Sequence, residues 1–140
     1  MWKVSSCKAI DYPRFTQEEI TNNLQPFSDK HKTFSGHIAY TTDVDIPTEW
    51  IEAVNRGKKV YVNIENAGED VELFWNGQSL GIQVLAPFSF DVTRYLSKVK
   101  NSLYIEVASS LERERKVNKK SHEKTGITGN VVVQLMSEPM

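Results

Sequence analysis

The sequence has very little of several features that would decide its class at once. A single cysteine, Cys7, excludes an internal disulfide bond, and its strand-like surroundings favour a small packing residue over a nucleophile. No apolar run approaches the ~20 residues that a membrane-spanning helix needs. The first residues also lack the sustained apolar segment of a signal peptide. We therefore expect a soluble chain with no membrane partner, and the compartment stays open.

The sequence also lacks an excess of charge of either sign. The 140 residues include 17 Lys and Arg and 18 Asp and Glu, for a formal net charge of −1. This balance provides no overall field to attract nucleic acid or an anionic membrane. With 7 Gly, 5 Pro and 39% hydrophobic residues, the composition is that of a globular protein and not of a disordered one. Residues 1–140 are therefore predicted to form one domain with a substantial core.

Alternation of apolar and polar residues with a period of two is the dominant pattern. Side chains of a strand alternate between its faces, so each such stretch indicates a strand with one buried face. The apolar sets are Phe34, Ile38, Tyr40, Val44 and Ile46; Val60, Val62 and Ile64; Val71, Leu73 and Trp75; Leu80, Ile82 and Val84; Phe88, Phe90 and Val92; Leu103, Ile105 and Val107; and Val131, Val133 and Leu135. About eight such strands predict an all-β sandwich of two antiparallel sheets.

Two stretches depart from this pattern and predict short helices. In TQEEITNNL, Thr16 and Glu19 have the spacing of a capping box, and Ile20 and Leu24 follow at helical spacing. In PTEWIEAVNRG, a proline opens the segment, and Gly57 stands where a left-handed residue would end a helix.

The pair Asn76-Gly77 predicts a tight hairpin directly after Trp75. A two-residue hairpin needs positive φ at both central residues, and this pair tolerates that conformation best. Further on, Asp91 and Thr93 are expected to cap a single helical turn before the next strand.

Patterns typical of catalysis or metal binding are weak. Asp43 and Asp45 project from one face of a strand, where acidic side chains usually form a solvated surface and not a catalytic pair across a cleft. The histidines, His31, His37 and His122, show no metal-ligand spacing. We therefore predict no catalytic residue, no metal ligand and no cofactor.

Residues 111–124, LERERKVNKKSHEK, carry six basic and three acidic side chains. Such a segment raises the hypothesis of an arm that binds nucleic acid through phosphate contacts. No aromatic residue is interleaved for base stacking, however, and glutamates alternate with the arginines. A solvated loop is the favoured interpretation, and we expect no nucleic-acid partner.

Five pieces, taken in order, resemble the galactose-binding-like, sugar-binding jelly-roll domain of glycoside hydrolase family 2 and related rhamnosidase-type enzymes. They are FSGHIAYTTDVDIP, the hairpin VELFWNGQSLG, PFSFDVTRYL, NSLYIEVASSL and TGITGNVVVQL. Together they span roughly residues 34–136. The resemblance implies a jelly-roll β-sandwich of about eight antiparallel strands with two short helices.

In these enzymes the catalytic carboxylates lie in a separate barrel domain, and 140 residues cannot contain the ~250 of such a barrel. The resemblance therefore implies a noncatalytic carbohydrate-binding or accessory domain, part of a larger protein, with carbohydrate and the parent catalytic domain as partners. The resemblance is also compatible with a structural calcium ion, although no dense loop of oxygen ligands appears in the sequence. The alternative is a structural or interaction β-sandwich module with no sugar site.

Sugar binding commonly uses an aromatic ring and a few polar side chains. The candidate ligand-binding residues are Trp75, Asn76, Trp50, Tyr61 and Arg113. Packing is the default for Trp75, because it shares a strand face with Val71 and Leu73. Arg113 departs from the family pattern, since Glu112 and not Asn precedes it.

Overall fold

The computed structural model describes residues 2–8, 15, 17–21, 36–67, 70–84, 86–109, 127 and 129–136. Within them lie nine strands, β1 (Trp2–Lys8), β2 (Gln17–Thr21), β3 (Gly36–Val44), β4 (Lys59–Ile64), β5 (Val71–Trp75), β6 (Gln78–Gln83), β7 (Phe88–Asp91), β8 (Asn101–Ser109) and β9 (Val131–Met136). One helix, α1 (Thr48–Asn55), lies between β3 and β4, and a 3₁₀ turn covers Thr93–Tyr95. No helix in this part of the chain is long and apolar enough to cross a membrane.

The strands form two antiparallel sheets. The large sheet has the order β2-β1-β3-β8-β5-β6, and the small sheet has the order β7-β4-β9. Their apolar faces share one core, in which Val60, Val62 and Ile64 of the small sheet join Leu73 and Ile105 of the large sheet. The predicted all-β sandwich is therefore confirmed. It forms because the alternation of apolar and polar residues along the strands gives each sheet one apolar face, and the two apolar faces pack together.

A buried tyrosine binds Ile127 to this core. Tyr40 of β3 is 1% exposed, and its hydroxyl oxygen accepts a hydrogen bond from the backbone N–H of Ile127 at 3.0 Å. Ile127 in turn forms a β-bridge with Ala67. Burial raises the pKa of Tyr40 from 10.0 to about 12, although the Ile127 N–H partly offsets this by favouring the phenolate.

One of the two predicted helices is confirmed and the other is wrong. Helix α1 follows Pro47, and Gly57 adopts a φ of 99° just beyond it, as the sequence predicts. The segment predicted as a helix over 16–24 contains β2, which pairs antiparallel with β1. Cross-strand pairing therefore overrides the local capping signal of Thr16 and Glu19, since local propensity is only a weak bias. Leu24 lies outside the described residues.

The predicted hairpin is confirmed. Asn76 has a φ of 50° and Gly77 a φ of 83°, and β5 pairs antiparallel with β6 on either side of the turn. Positive φ at both positions is the conformation that an Asn-Gly pair tolerates best. The predicted turn after β7 is also present, with the Asp91 carboxylate accepting the Thr93 N–H at 3.0 Å.

In β6 the predicted apolar face is only partly correct. Leu80 packs against the core, whereas Ile82 and Val84 are both 63% exposed. The cause is a bulge: three residues of β5, from Glu72 to Phe74, oppose four of β6, from Ser79 to Ile82. One extra residue reverses the alternation beyond it and turns Ile82 outward beside Glu72.

Candidate functional site

The outer face of the small sheet presents polar side chains to solvent. The burial of β4 alternates strictly, so Tyr61 and Asn63 lie outside while the valines between and beside them lie in the core. Register places Asn63 opposite Ser89 of β7 and Val132 of β9. Tyr61 lies opposite Asp91 and Gln134.

A chain of hydrogen bonds links this face across its three strands. The Ser89 hydroxyl donates to Asn63 Oδ1 at 2.7 Å, and Asn63 Nδ2 donates to Gln134 Oε1 at 2.9 Å. An amide side chain has two donor hydrogens and can accept two bonds. These contacts therefore fix the orientation of the Asn63 amide while occupying only part of its capacity.

The large sheet contributes one side chain to the same row. Gln83, at the end of β6, donates from Nε2 to the Ser89 carbonyl at 2.6 Å and accepts the Ser89 N–H on Oε1 at 3.0 Å. Ser89 is consequently held on both sides, by Gln83 at its backbone and by Asn63 at its hydroxyl. The row Gln83, Ser89, Asn63 and Gln134 is a continuous ladder of polar side chains, which we call the amide row.

An open depression of about 350 Å³ adjoins the amide row. It lies at the end of the sandwich where β4 ends and where β7 and β9 begin. Apolar and polar residues share its lining, which consists of Asn63, Ile64, Glu65, Pro87, Phe88, Ser89, Asn130 and Val132. Its volume is within the range typical of small-molecule sites, and a mixture of apolar surface and a few fixed polar groups is typical of their linings.

Close backbone packing shapes the rim of this depression. Glu65 donates its N–H to the Asn130 carbonyl at 2.9 Å, and its carboxylate accepts the Asn130 N–H at 3.1 Å. A Cβ on the neighbouring Gly129 would lie 2.7 Å from the Glu65 Cβ, so only glycine fits there. These contacts hold the Glu65 carboxylate at the rim.

Two of the sequence-predicted ligand residues are engaged in a structural network at the opposite end of the sandwich. Trp75 is 0% exposed and donates from Nε1 to Asn101 Oδ1 at 3.1 Å. Asn76 Nδ2 donates to the same oxygen at 3.0 Å and to the Tyr95 carbonyl at 2.9 Å, while its Oδ1 accepts the Ser102 N–H at 2.7 Å. The packing interpretation of Trp75 is confirmed, and no face of its ring is open to a ligand.

The other predicted ligand residues that the structure describes, Trp50 and Tyr61, lie on different elements. Trp50 is on α1 and packs against the core cluster, at the end of the sandwich where β4 begins. That end is separated from the depression by the length of β4, about 17 Å. Tyr61 lies on the outer face beside the amide row and is partly exposed. Arg113 lies outside the described residues, as does the whole basic segment 111–124.

Residues that the sequence analysis did not single out make up most of the candidate site. Asn63, Ser89 and Gln134 occupy outward positions on three different strands, and Gln83 reaches them from a fourth. The only local signal for them was the polar half of each alternating strand, as in KVYVNIE and PFSFDV. That signal could not show which polar positions lie side by side.

The remaining residues considered for metal binding or catalysis are the acidic residues, the histidines and the cysteine. They contain no group of three or more His, Cys, Asp or Glu side chains that could hold a metal ion. Cys7 is buried, as expected of a packing residue, and His37 lies with Nδ1 3.4 Å from a Glu106 carboxylate oxygen. A structural calcium ion stays a prediction of the resemblance, and His31 and His122 lie outside the described residues.

No family model and no curated protein matches this sequence. Solved structures do match it in fold. A rhamnosidase from Novosphingobium sp. PP1Y matches with a TM-score of 0.73 at 18% identity, covering 94% of this chain and 14% of that chain. Bacteroides uniformis beta-glucuronidase matches with a TM-score of 0.70 at 19% identity, covering 95% and 17%.

A beta-glycosidase from Bacteroides vulgatus matches with a TM-score of 0.64 at 21% identity, covering 96% of this chain and 19% of that chain. Identities this low establish a shared fold and nothing finer. The chain therefore has the fold of a segment that spans less than a fifth of these larger glycoside hydrolase chains.

Proposed function

We propose that this chain is a noncatalytic, carbohydrate-binding accessory domain of a glycoside hydrolase, with a galactose-binding-like jelly-roll fold. Its partners are a carbohydrate and the catalytic domain of the parent enzyme. The small share of the matching glycoside hydrolases that the chain spans supports the accessory role. The observation that carries the carbohydrate-binding part is the amide row beside the depression, with Tyr61 on the same face.

The chemistry of this face suits a sugar. A pyranose offers hydroxyl groups that both donate and accept hydrogen bonds, together with an apolar C–H face. Asn63 and Ser89 retain hydrogen-bonding capacity toward solvent, while Pro87 and Val132 supply apolar surface. Because Gln83 and Gln134 already fix the polar groups, little side-chain freedom is lost on binding, which favours affinity.

Glycan-array binding by the chain is the direct test. If a glycan binds, Asn63→Ala and Tyr61→Ala are expected to weaken binding about tenfold each, since each removes a polar or stacking contact to the sugar. Asn55→Ala is the matched control, because Asn55 is exposed at the end of α1, far from the depression. Binding that both site variants leave unchanged would rule out this face as the sugar site.

A structural or interaction module without a sugar site is the second candidate function. The exposed Ile82 and Val84 at the edge of the large sheet favour it, because adjacent exposed apolar side chains often mark a protein contact. This candidate predicts no glycan binding by the folded chain. It also predicts that Ile82→Glu weakens association with the parent catalytic domain, while Asn63→Ala does not.

A further inference from the structure

We infer that the depression selects neutral sugars and rejects uronic acids. The inference rests on the proposed function, since it concerns what the same site accepts. It follows from the charged side chains described around the depression. These are acidic, whereas the carboxylate of a uronic acid needs a cation nearby.

The described lining of the depression includes one ionisable side chain, and it is acidic. Glu65 is exposed at the rim, where the Asn130 N–H at 3.1 Å holds its carboxylate. Asp91 adds a second carboxylate on the same outer face, two residues beyond Ser89 on β7. Among the described residues, the ionisable side chains nearest the depression on this face therefore provide negative charge.

No lysine or arginine is present among the described lining residues. The nearest cation on the outer face of β4 is Lys59, four positions from Asn63, or about 13 Å along the strand. A carboxylate that leaves water is stabilised chiefly by a cation or by charge-assisted hydrogen bonds. A uronate in the depression would meet Glu65 instead and would be repelled.

A neutral sugar meets none of these penalties. Its hydroxyl groups can donate to the Glu65 carboxylate and exchange hydrogen bonds with Asn63 and Ser89. Bonds from hydroxyl groups to an ionised acceptor are among the stronger hydrogen bonds. The same carboxylate that repels a uronate therefore favours a neutral pyranoside.

Matched pairs of ligands isolate the effect of charge. Methyl β-D-glucoside and methyl β-D-glucuronide differ only at C6, as do methyl β-D-galactoside and methyl β-D-galacturonide. In whichever pair binds the chain, we expect the neutral glycoside to bind at least about tenfold more tightly than the uronide at pH 7 and low salt, as measured by NMR titration. Added salt is expected to bring the two affinities closer together, because it screens the repulsion between the uronate and Glu65.

The variant Glu65→Gln removes the charge and keeps an oxygen that can accept the Asn130 N–H. It is expected to reduce the ratio of the affinity for the neutral glycoside to the affinity for the uronide about fivefold. Glu49→Gln, at an exposed position in the first turn of α1, is the control for net charge and should leave the ratio unchanged.

The outcomes separate this inference from the proposed function. If uronides bind as tightly as their neutral partners, or if Glu49→Gln narrows the ratio as much as Glu65→Gln, the inference is wrong while carbohydrate binding stands. If no neutral or acidic glycoside binds the folded chain, carbohydrate binding fails and this inference fails with it.

Discussion

The side-chain amide of Gln83 forms both hydrogen bonds of a β-ladder rung with the backbone of Ser89, accepting its N–H at 3.0 Å and donating to its carbonyl at 2.6 Å. Gln83 belongs to the edge of the large sheet and Ser89 to the edge of the small sheet. A side chain thus takes the place of a neighbouring strand. It joins the two sheets and covers part of an edge that would otherwise expose unpaired backbone groups.

We therefore predict that Gln83→Ala lowers the free energy of unfolding by about 1–2 kcal/mol, since two hydrogen bonds are lost and the Ser89 backbone turns to water. Urea denaturation measures the change. Gln78→Ala, at the exposed start of the same strand, should change stability by less than about 0.5 kcal/mol. Equal effects of the two substitutions would show that Gln83 does not link the sheets.

A second prediction concerns Asn101, which is 3% exposed and accepts hydrogen bonds on Oδ1 from Trp75, Asn76 and the Ser97 N–H. Asn101→Ala leaves the buried Trp75 Nε1–H without its acceptor, so we expect a loss of about 3 kcal/mol of stability. Thermal unfolding measures it.

The exposed Asn55 is the control for Asn101. Asn55→Ala should be nearly neutral, because alanine is the better helix former. A loss below about 1 kcal/mol for Asn101→Ala would contradict the view that this residue organises the hairpin end of the sandwich.

A third prediction concerns pH. The folded state holds the Tyr40 pKa near 12, above its ordinary value of 10.0. Below pH 10 the hydroxyl is protonated in both the folded and the unfolded chain, and the full contribution to stability is present. From pH 10 to 12 the unfolded tyrosine ionises first, so stability falls as pH rises, by up to about 3 kcal/mol.

Tyr40→Phe isolates this contribution from other titrating groups. The phenylalanine variant lacks the hydroxyl that Ile127 donates to and should be less stable than the parent chain at pH 8, by about 1 kcal/mol. Above pH 10 this advantage of the parent should shrink, pass through zero and reverse, because the loss of up to about 3 kcal/mol affects only the parent. Curves that stay parallel from pH 8 to 12 would show that Tyr40 is not held protonated by burial.

A fourth prediction concerns the rim of the depression. Gly129→Ala would place a Cβ 2.7 Å from the Glu65 Cβ and 2.6 Å from Glu65 Oε1, so the backbone must move apart. We expect a loss of about 1–3 kcal/mol and chemical-shift changes at Glu65 and Asn130. An alanine variant as stable as the parent, with unchanged shifts, would mean that the two segments are not in close contact.

The fold was largely predictable because its main signals are local. A period of two identified β3 to β9, and Asn76-Gly77 located the hairpin. The failures have non-local causes. Pairing with β1 made a strand of Gln17–Thr21 despite a capping-box pattern, and one extra residue opposite β5 turned Ile82 outward.

The candidate site was much less predictable. Asn63, Ser89 and Gln134 come from strands that are distant in the chain and meet only through the order β7-β4-β9. Trp75 looked suitable for a ligand because it precedes a turn. Its indole nitrogen is engaged by Asn101, a residue that no sequence motif connects to it. Of the predicted ligand residues that the structure describes, Tyr61 alone lies beside the amide row.

The proposed function rests on carbohydrate binding by the outer face of the small sheet. Titration of the ¹⁵N-labelled chain with a binding glycoside, followed by two-dimensional NMR, tests it most directly. We expect the largest amide shift changes at Tyr61, Asn63, Ser89 and Val132, and small changes at Trp50 and Asn76. Shift changes centred on Trp50 and Asn76, or no change at any residue with any of the four methyl glycosides, would contradict carbohydrate binding at this face.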